Sequence, residues 1–279
     1  MKTNWLAFLF FLTFTATYAQ PTTGPESGSL LVVGGALRDL SILERFIELA
    51  GGPEAPIVVV PTAGGGEKYD DSYYGMDKFK AAGATNLTLL HTTNREEANS
   101  RSFTAPLENA SGVWFGGGRQ WRLVDAYAGT RTEELFHEVL KRGGVVGGSS
   151  AGATIQGSYL ARGDTKNNQI MMGDHEEGFG FIKNIAIDQH VLARNRQFDL
   201  FDILDERPEL LGMGIDENTA VVVQGNECEV IGNSYVLIYD SGFWSREGSE
   251  RKTLPQPARR FYLLRAGDKY NMKDREVVE

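Results

Sequence analysis

Gly148-Ser149-Ser150-Ala151-Gly152 fits G-x-S-x-G, the turn that lifts a serine hydroxyl clear of a sheet edge and leaves the next backbone N–H free to face an oxyanion. Small residues are needed there because the backbone is strained and a helix must pack close behind it. A serine nucleophile needs a base, and the histidines are His91, His137, His175 and His190. His137 falls in a helical pattern and reads as a solvated face residue. His175 sits among carboxylates in a surface loop, and His91 ends a strand without polar company. His190 differs, because Ile185-Ala186-Ile187-Asp188-Gln189-His190 is an apolar strand that delivers three polar residues in succession at its carboxyl end. Open parallel sheets bind ligands at that end. The base needs an acid to hold its tautomer and stabilise the imidazolium, and either Asp216 or Glu217, at the end of the strand Met213–Ile215, could serve. The order serine, histidine, acid is not that of the α/β-hydrolases, where the histidine comes last. The same chemistry is therefore expected on a different fold.

The elements that must position these residues alternate. Apolar runs at Leu30–Val33, Ile57–Val60, Leu87–Leu90, Gly112–Phe115 and Val145–Val146 read as buried strands, and Leu40–Ala50, Asp77–Ala82 and Thr132–Arg142 read as helices between them. Continuous apolar strands separated by helices indicate a mostly parallel sheet covered on both faces. The expected fold class is therefore α/β, a three-layer α/β/α sandwich. After Gly178 the pattern turns to short strands at Ile185–Asp188, Met213–Ile215, Ala220–Val223, Glu229–Ile231 and Tyr235–Tyr239, with another at Phe261–Leu264. The last of these are expected as antiparallel additions at the sheet edge.

A chain of 279 residues with 41% hydrophobic content is long enough for one full core, so a single domain is expected over 30–268. The net charge of −9 argues against a nucleic-acid surface, which needs clustered Lys and Arg. Residues 1–19 read as a signal peptide. Met1-Lys2 begins it, Leu6–Phe14 is its apolar run, and Thr17-Tyr18-Ala19 supplies a small-x-small cleavage site. The run is shorter than the roughly 18 to 20 residues of a membrane span, which points to a secreted or periplasmic protein with no membrane partner. The Pro/Gly/Ser-rich segment 20–29 reads as a flexible lead, the charged stretch Arg246–Pro257 as a loop, and 269–279 as a mobile tail. Cys228, between Glu227 and Glu229, is expected to be structural filler. Neither Gly34-Gly35 nor Gly116-Gly117-Gly118 has dinucleotide-loop spacing, and no phosphate loop or H-E-x-x-H appears. No metal or organic cofactor is expected.

Taken together, Gly148–Ala153, Ala186–His190, Gly214–Ala220 and Gly117-Gly118-Arg119-Gln120 resemble four ordered motifs of the cyanophycinases within the peptidase E-like serine peptidases of family S51. The resemblance spans about Leu30 to Asp240. It implies a class I glutamine amidotransferase-like, flavodoxin-like sandwich, and a triad of Ser150, His190 and Glu217, which selects Glu217 over Asp216. It also implies an oxyanion hole from the backbone of Gly118 and Ala151, a substrate site including Gln120, Asp188, Gln189, Arg194 and Arg196, and a homodimer. The implied reaction is hydrolysis of cyanophycin, or of related aspartyl peptides, to β-Asp-Arg dipeptides through an acyl-enzyme. Two other readings remain open, an aspartyl exopeptidase with the same triad and a non-catalytic binding protein on the same fold. Two residues depart from the family pattern: Arg119 stands where an acid is expected, and Asp199 where a third arginine is expected after Arg196. Each change is expected to reverse a charge at or near the cleft.

Overall fold

A computed structural model describes residues 20–246 and 260–278. Its first half builds a parallel sheet from strands β1 (Ser29–Val33), β2 (Ile57–Val60), β3 (Leu87–Leu89), β4 (Gly112–Phe115) and β5 (Val145–Ser149). Helices α1 (Ser41–Leu49), α2 (Tyr74–Ala81), α3 (Arg95–Ala98), α4 (Arg101–Glu108), α5 (Trp121–Tyr127) and α6 (Arg131–Lys141) connect these strands. A short helix α7 (Ala151–Thr154) leaves β5, followed by β6 (Gly157–Tyr159), β7 (Ile182–Gln189), α8 (Leu200–Glu206) and β8 (Leu211–Ile215). The chain then runs through β9 (Thr219–Gln224), β10 (Glu227–Gly232), β11 (Tyr235–Tyr239), β12 (Tyr262–Arg265), β13 (Lys269–Asn271) and β14 (Glu276–Val278).

Nine strands form one sheet in the order β14-β13-β10-β9-β1-β5-β4-β2-β3, in which β1, β5, β4, β2 and β3 are parallel and the remainder antiparallel. The two-residue alternation of a strand divides the core. Leu31, Val33, Ile57, Val59 and Trp114 pack against Ile42, Leu43 and Phe46 of α1 and Phe79 of α2. On the opposite face, Leu30, Val32, Val58, Val60 and Phe115 meet Leu123, Phe136 and Val139 of α5 and α6. That face is shared with a second sheet, ordered β12-β11-β8-β7-β6, which turns Ile185, Ile187, Met213 and Ile215 into the same core. Its outer face, through Ala186, Leu237 and Tyr239, is covered by Leu200 and Ile203 of α8.

The α/β class and the parallel sheet agree with the sequence reading, but the later strands do not all extend one edge. Strands β9, β10, β13 and β14 do so, whereas β11 and β12 join β8 in the second sheet. Alternation shows that a strand has two faces and is silent about which sheet it enters.

Both terminal segments depart from expectation. The tail from Lys269 is not mobile in this structure: β13 pairs with β10, β14 pairs with β13, and Tyr270 and Met272 are fully buried. Two apolar side chains in a charged stretch were too weak a signal to reveal this. The lead is also laid down. Thr22 is buried, Thr23 and Lys183 exchange backbone hydrogen bonds, and Asn184 Nδ2 donates to the Gln20 carbonyl at 2.6 Å. The proposed signal peptide, most of the Arg246–Pro257 loop and Glu279 lie outside the described residues. Among the described residues no helix is long and apolar enough to cross a membrane. Cys228 is buried, and that burial pushes its thiol up to about 12, as suits filler.

Candidate active site

Ser150 follows β5 at φ 60° and ψ −112°, a backbone state costly to a side-chain-bearing residue. Neighbouring packing holds it there. Its N–H donates to the Val33 carbonyl at 3.0 Å, tying the turn to the end of β1. Behind it, a Cβ added at Gly152 would lie 2.2 Å from the Phe115 carbonyl oxygen, so the glycine of the motif is fixed by the approach of α7 to β4.

His190 comes from the other sheet. It continues β7 at φ 56°, and its N–H donates to the Gly34 carbonyl at 3.0 Å. The Asn218 N–H, just beyond β8, donates to the Gly35 carbonyl at 2.8 Å. The Gly34-Gly35 turn thus joins the two sheets where their strands end. Across that junction Ser150 Oγ lies 2.9 Å from His190 Nε2, and His190 Nδ1 lies 2.7 Å from Glu217 Oε1. Glu217 is the partner, not Asp216. The Asp216 carboxylate accepts from the N–H groups of Leu192 and Ala193 and from Ser234 Oγ, and so anchors the loop after His190.

These contacts have the arrangement in which a carboxylate orients an imidazole that can take a proton from a hydroxyl. His190 is 5% exposed. Burial holds its pKa below the ordinary histidine range, Glu217 pulls the other way, and Arg194 and Arg196 add to the lowering. A lowered pKa keeps the ring neutral, as a base must be, at and below the pH where a free histidine titrates.

Gly35 is the unforeseen member of the site. It has φ 127°, and a Cβ there would stand 2.1 Å from His190 Cε1 and 2.6 Å from Nε2. The Gly35→Ala variant is expected to push the ring off Ser150 and lower kcat/KM by about 100-fold, since a displacement of ~1 Å costs that much. Steady-state kinetics on a variant whose thermal melt stays cooperative would test it. Activity within a few-fold of the parent would show that the ring position does not govern turnover.

The oxyanion candidates lie beside the hydroxyl. Ala151 is the first residue of α7, where helical N–H groups have no carbonyl partner within the helix. In the loop after β4, the N–H groups of Gly116 and Arg119 donate to the carbonyls of Val60 and Ala63, and Gly117 and Gly118 line the cleft with Ser150. This cleft encloses about 410 Å³ and is bounded also by Leu37, Tyr73, Tyr74, Lys78, Trp114, His190 and Arg194.

Of the five expected substrate-binding residues, only Arg194 lines the cleft. The others are buried and turned to internal partners. Gln120 Nε2 donates to the Ala161 carbonyl at 2.6 Å, and Asp188 is paired with Arg162. Arg196 Nη1 donates to Gln189 through both its backbone carbonyl and its side-chain oxygen, each at 3.3 Å. Neither departure from the family pattern places its charge in the cleft. Arg119 donates to the Asp164 carbonyl, and Asp199 Oδ2 accepts from Arg162 at 2.5 Å. The remaining histidines lie elsewhere. His91 contacts Thr62 Oγ1 at 2.8 Å, and His175 bridges Asp125 and Asp174. His137 is not a solvated residue, since its ring packs 4.7 Å from that of Phe181.

Comparison with known proteins decides the family. The profile of Peptidase family S51 matches residues 30–231. The chain belongs to that family. A cyanophycinase of Geminocystis herdmanii is 33% identical over 263 residues, which cover 90% of this chain and 96% of the relative. A cyanophycinase of Trichormus variabilis is 29% identical, with coverage of 90% and 87%. Among solved structures, a peptidase from an acI-B1 actinobacterium superposes with a TM-score of 0.65 at 25% identity, covering 89% of this chain and 98% of that one. This S51 peptidase is a serine-type hydrolase with the class I glutamine amidotransferase-like fold of its relatives.

Proposed function

We propose that the chain hydrolyses amide bonds of aspartyl peptides, cyanophycin or related isopeptides among them, through an acyl-enzyme on Ser150. The observation that carries this is the continuous contact from Ser150 through His190 to Glu217, at 2.9 and 2.7 Å, at the wall of a cleft. Ser150 Oγ attacks the amide carbonyl as its proton passes to His190 Nε2, and Glu217 stabilises the imidazolium. The N–H groups of Gly118 and Ala151 receive the tetrahedral oxyanion; one such donor is worth about 3 kcal/mol. His190 then protonates the leaving amine. Water deprotonated by the same ring releases the acyl group, so the proton count closes over each cycle.

A second reading, an exopeptidase for acidic aspartyl peptides, is favoured by one feature. The charged side chains at the cleft are Lys78 and Arg194, with no carboxylate among the described residues of its wall. The apolar run Leu6–Phe14 supports an exported location. The readings separate on incubation with cyanophycin and with α- and β-aspartyl dipeptides, products being identified by mass. Release of β-aspartyl-arginine from the polymer is the outcome expected of a cyanophycinase, and cleavage of dipeptides alone supports the exopeptidase. If no amide is cut, the hydrolase reading fails.

A further inference from the structure

Tyr74 opens α2 and is 59% exposed, more than any other large hydrophobic side chain among the described residues. A single exposed ring is ordinary on an open surface. This one lines the cleft that holds Ser150 and His190. Its neighbours fix it in place. The Tyr73 ring lies 4.6 Å from that of Tyr74, and Tyr69 packs edge-on against Tyr73 at 5.4 Å. A Cβ at Gly116 would stand 2.4 Å from the Tyr73 hydroxyl oxygen, and one at Gly117 would stand 3.5 Å from Ser150 Cβ. The aromatic wall therefore begins beside the nucleophile. Leu37, on the loop after β1, continues it. Lys78 follows Tyr74 by one turn on the same face of α2. Its ammonium donates to the Leu37 carbonyl at 2.6 Å, which ties α2 to that loop.

The charge of the wall narrows what it can receive. Lys78 and Arg194 are its charged side chains, and none of the described lining residues is a carboxylate. The carboxylates that every aspartyl dipeptide carries can neutralise both cations. A tyrosine face attracts a guanidinium, but a guanidinium on the residue beyond the scissile amide would meet charges of its own sign and no partner of the opposite one. An uncharged apolar side chain leaves water for the faces of Tyr74, Tyr73 and Leu37 at no such cost, and its burial is favourable.

We propose that Tyr74, with Tyr73 and Leu37, forms a subsite for an uncharged apolar side chain on the residue that leaves as the amine. The inference rests on the amide-hydrolase reading and adds to it the side chain that the substrate carries next to its aspartyl group.

The probes are aspartyl-leucine, aspartyl-asparagine and aspartyl-arginine, each made with the α and with the β linkage. Leucine and asparagine match in size, so their ratio reads apolarity. In the linkage it cuts, the parent is expected to favour leucine over asparagine, and over arginine, by about fivefold or more in kcat/KM. Tyr74→Ser is expected to lower the leucine-to-asparagine ratio by about fivefold or more, and Tyr74→Phe, which keeps the ring, to hold it within about twofold. Because Tyr74 is largely exposed, both variants are expected to melt cooperatively. A smaller leucine preference in the parent would overturn the proposal, as would a folded Tyr74→Ser whose ratio stays within about twofold of the parent. If Tyr74→Ser does not fold, the ratios of the parent and of Tyr74→Phe decide. Absence of turnover on every probe counts against the hydrolase reading, and calorimetric binding of the same dipeptides to Ser150→Ala then reads the ratios without chemistry. Tighter binding of the leucine dipeptide by about fivefold or more supports the subsite, and a smaller difference, or no binding, overturns it.

Discussion

Replacement of Ser150 by alanine is expected to lower turnover of an aspartyl peptide by about six orders of magnitude, the scale on which nucleophile removal acts in serine hydrolases. This corresponds to about 8 kcal/mol of transition-state stabilisation. The loss should be nearly pure chemistry. The Ser150 hydroxyl is held by His190 Nε2, while the backbone N–H, which holds the turn to Val33, survives the change. Alanine at φ 60° is no more strained than serine, so the melting temperature should move by no more than about ±0.5 kcal/mol allows. Kinetics and thermal melts on the same preparations check both halves. Residual activity within about tenfold of the parent would mean that another group is the nucleophile.

The Glu217→Gln substitution is expected to cost about 10⁴-fold in kcat, or about 5 kcal/mol. A glutamine can present an N–H to His190 Nδ1 and so favour the tautomer that has its proton on Nε2, where Ser150 must deliver one. A second readout separates this role from mere packing. Burial lowers the pKa of His190, with Arg194 and Arg196 acting in the same direction, and Glu217 is the neighbour that raises it most. Removing the carboxylate therefore lowers it further. Activity requires the neutral ring, so in the parent it should persist to pH values below the ordinary histidine midpoint and fall as acid protonates His190. In Glu217→Gln the acid limb of the kcat/KM profile should shift to still lower pH while the rate at its plateau drops. A shift to higher pH, or none alongside an unchanged rate, would remove Glu217 from the proton path. Arg38 approaches the outer oxygen of Glu217 at 3.8 Å but is 81% exposed, and exposed pairs contribute little. It is not expected to take over this role.

The chemistry of the site was legible because it is local. G-x-S-x-G dictates its own backbone, and a strand that ends in consecutive polar residues announces the carboxyl edge of a sheet, so Ser150 and His190 followed from residue types and spacing. Between Asp216 and Glu217 local pattern gave no preference. The resemblance chose Glu217, and the structure shows the physical reason: Asp216 spends its oxygens on Leu192, Ala193 and Ser234.

The substrate residues were harder to read, since motif position gives no direction to a side chain. Gln120, Asp188, Gln189 and Arg196 occupy the expected places and point to internal partners, and Arg162, which holds Asp188, belongs to no motif. Gly35 was visible only as half of a failed dinucleotide loop. Its lack of room for a Cβ comes from a histidine ring 155 positions later in the chain.

The sequence by itself thus determined the α/β class, the strand edges, and the serine and histidine that meet at the cleft, because these depend on apolar periodicity and on turns that close within a few residues. Tertiary structure decided the division of strands between two sheets, the joining of those sheets through Gly34-Gly35, the burial of the terminal segments and the internal neutralisation of Asp188. Each of these depends on contacts between residues far apart in sequence, and no local pattern encodes which partner a buried charge or an unpaired strand edge will find.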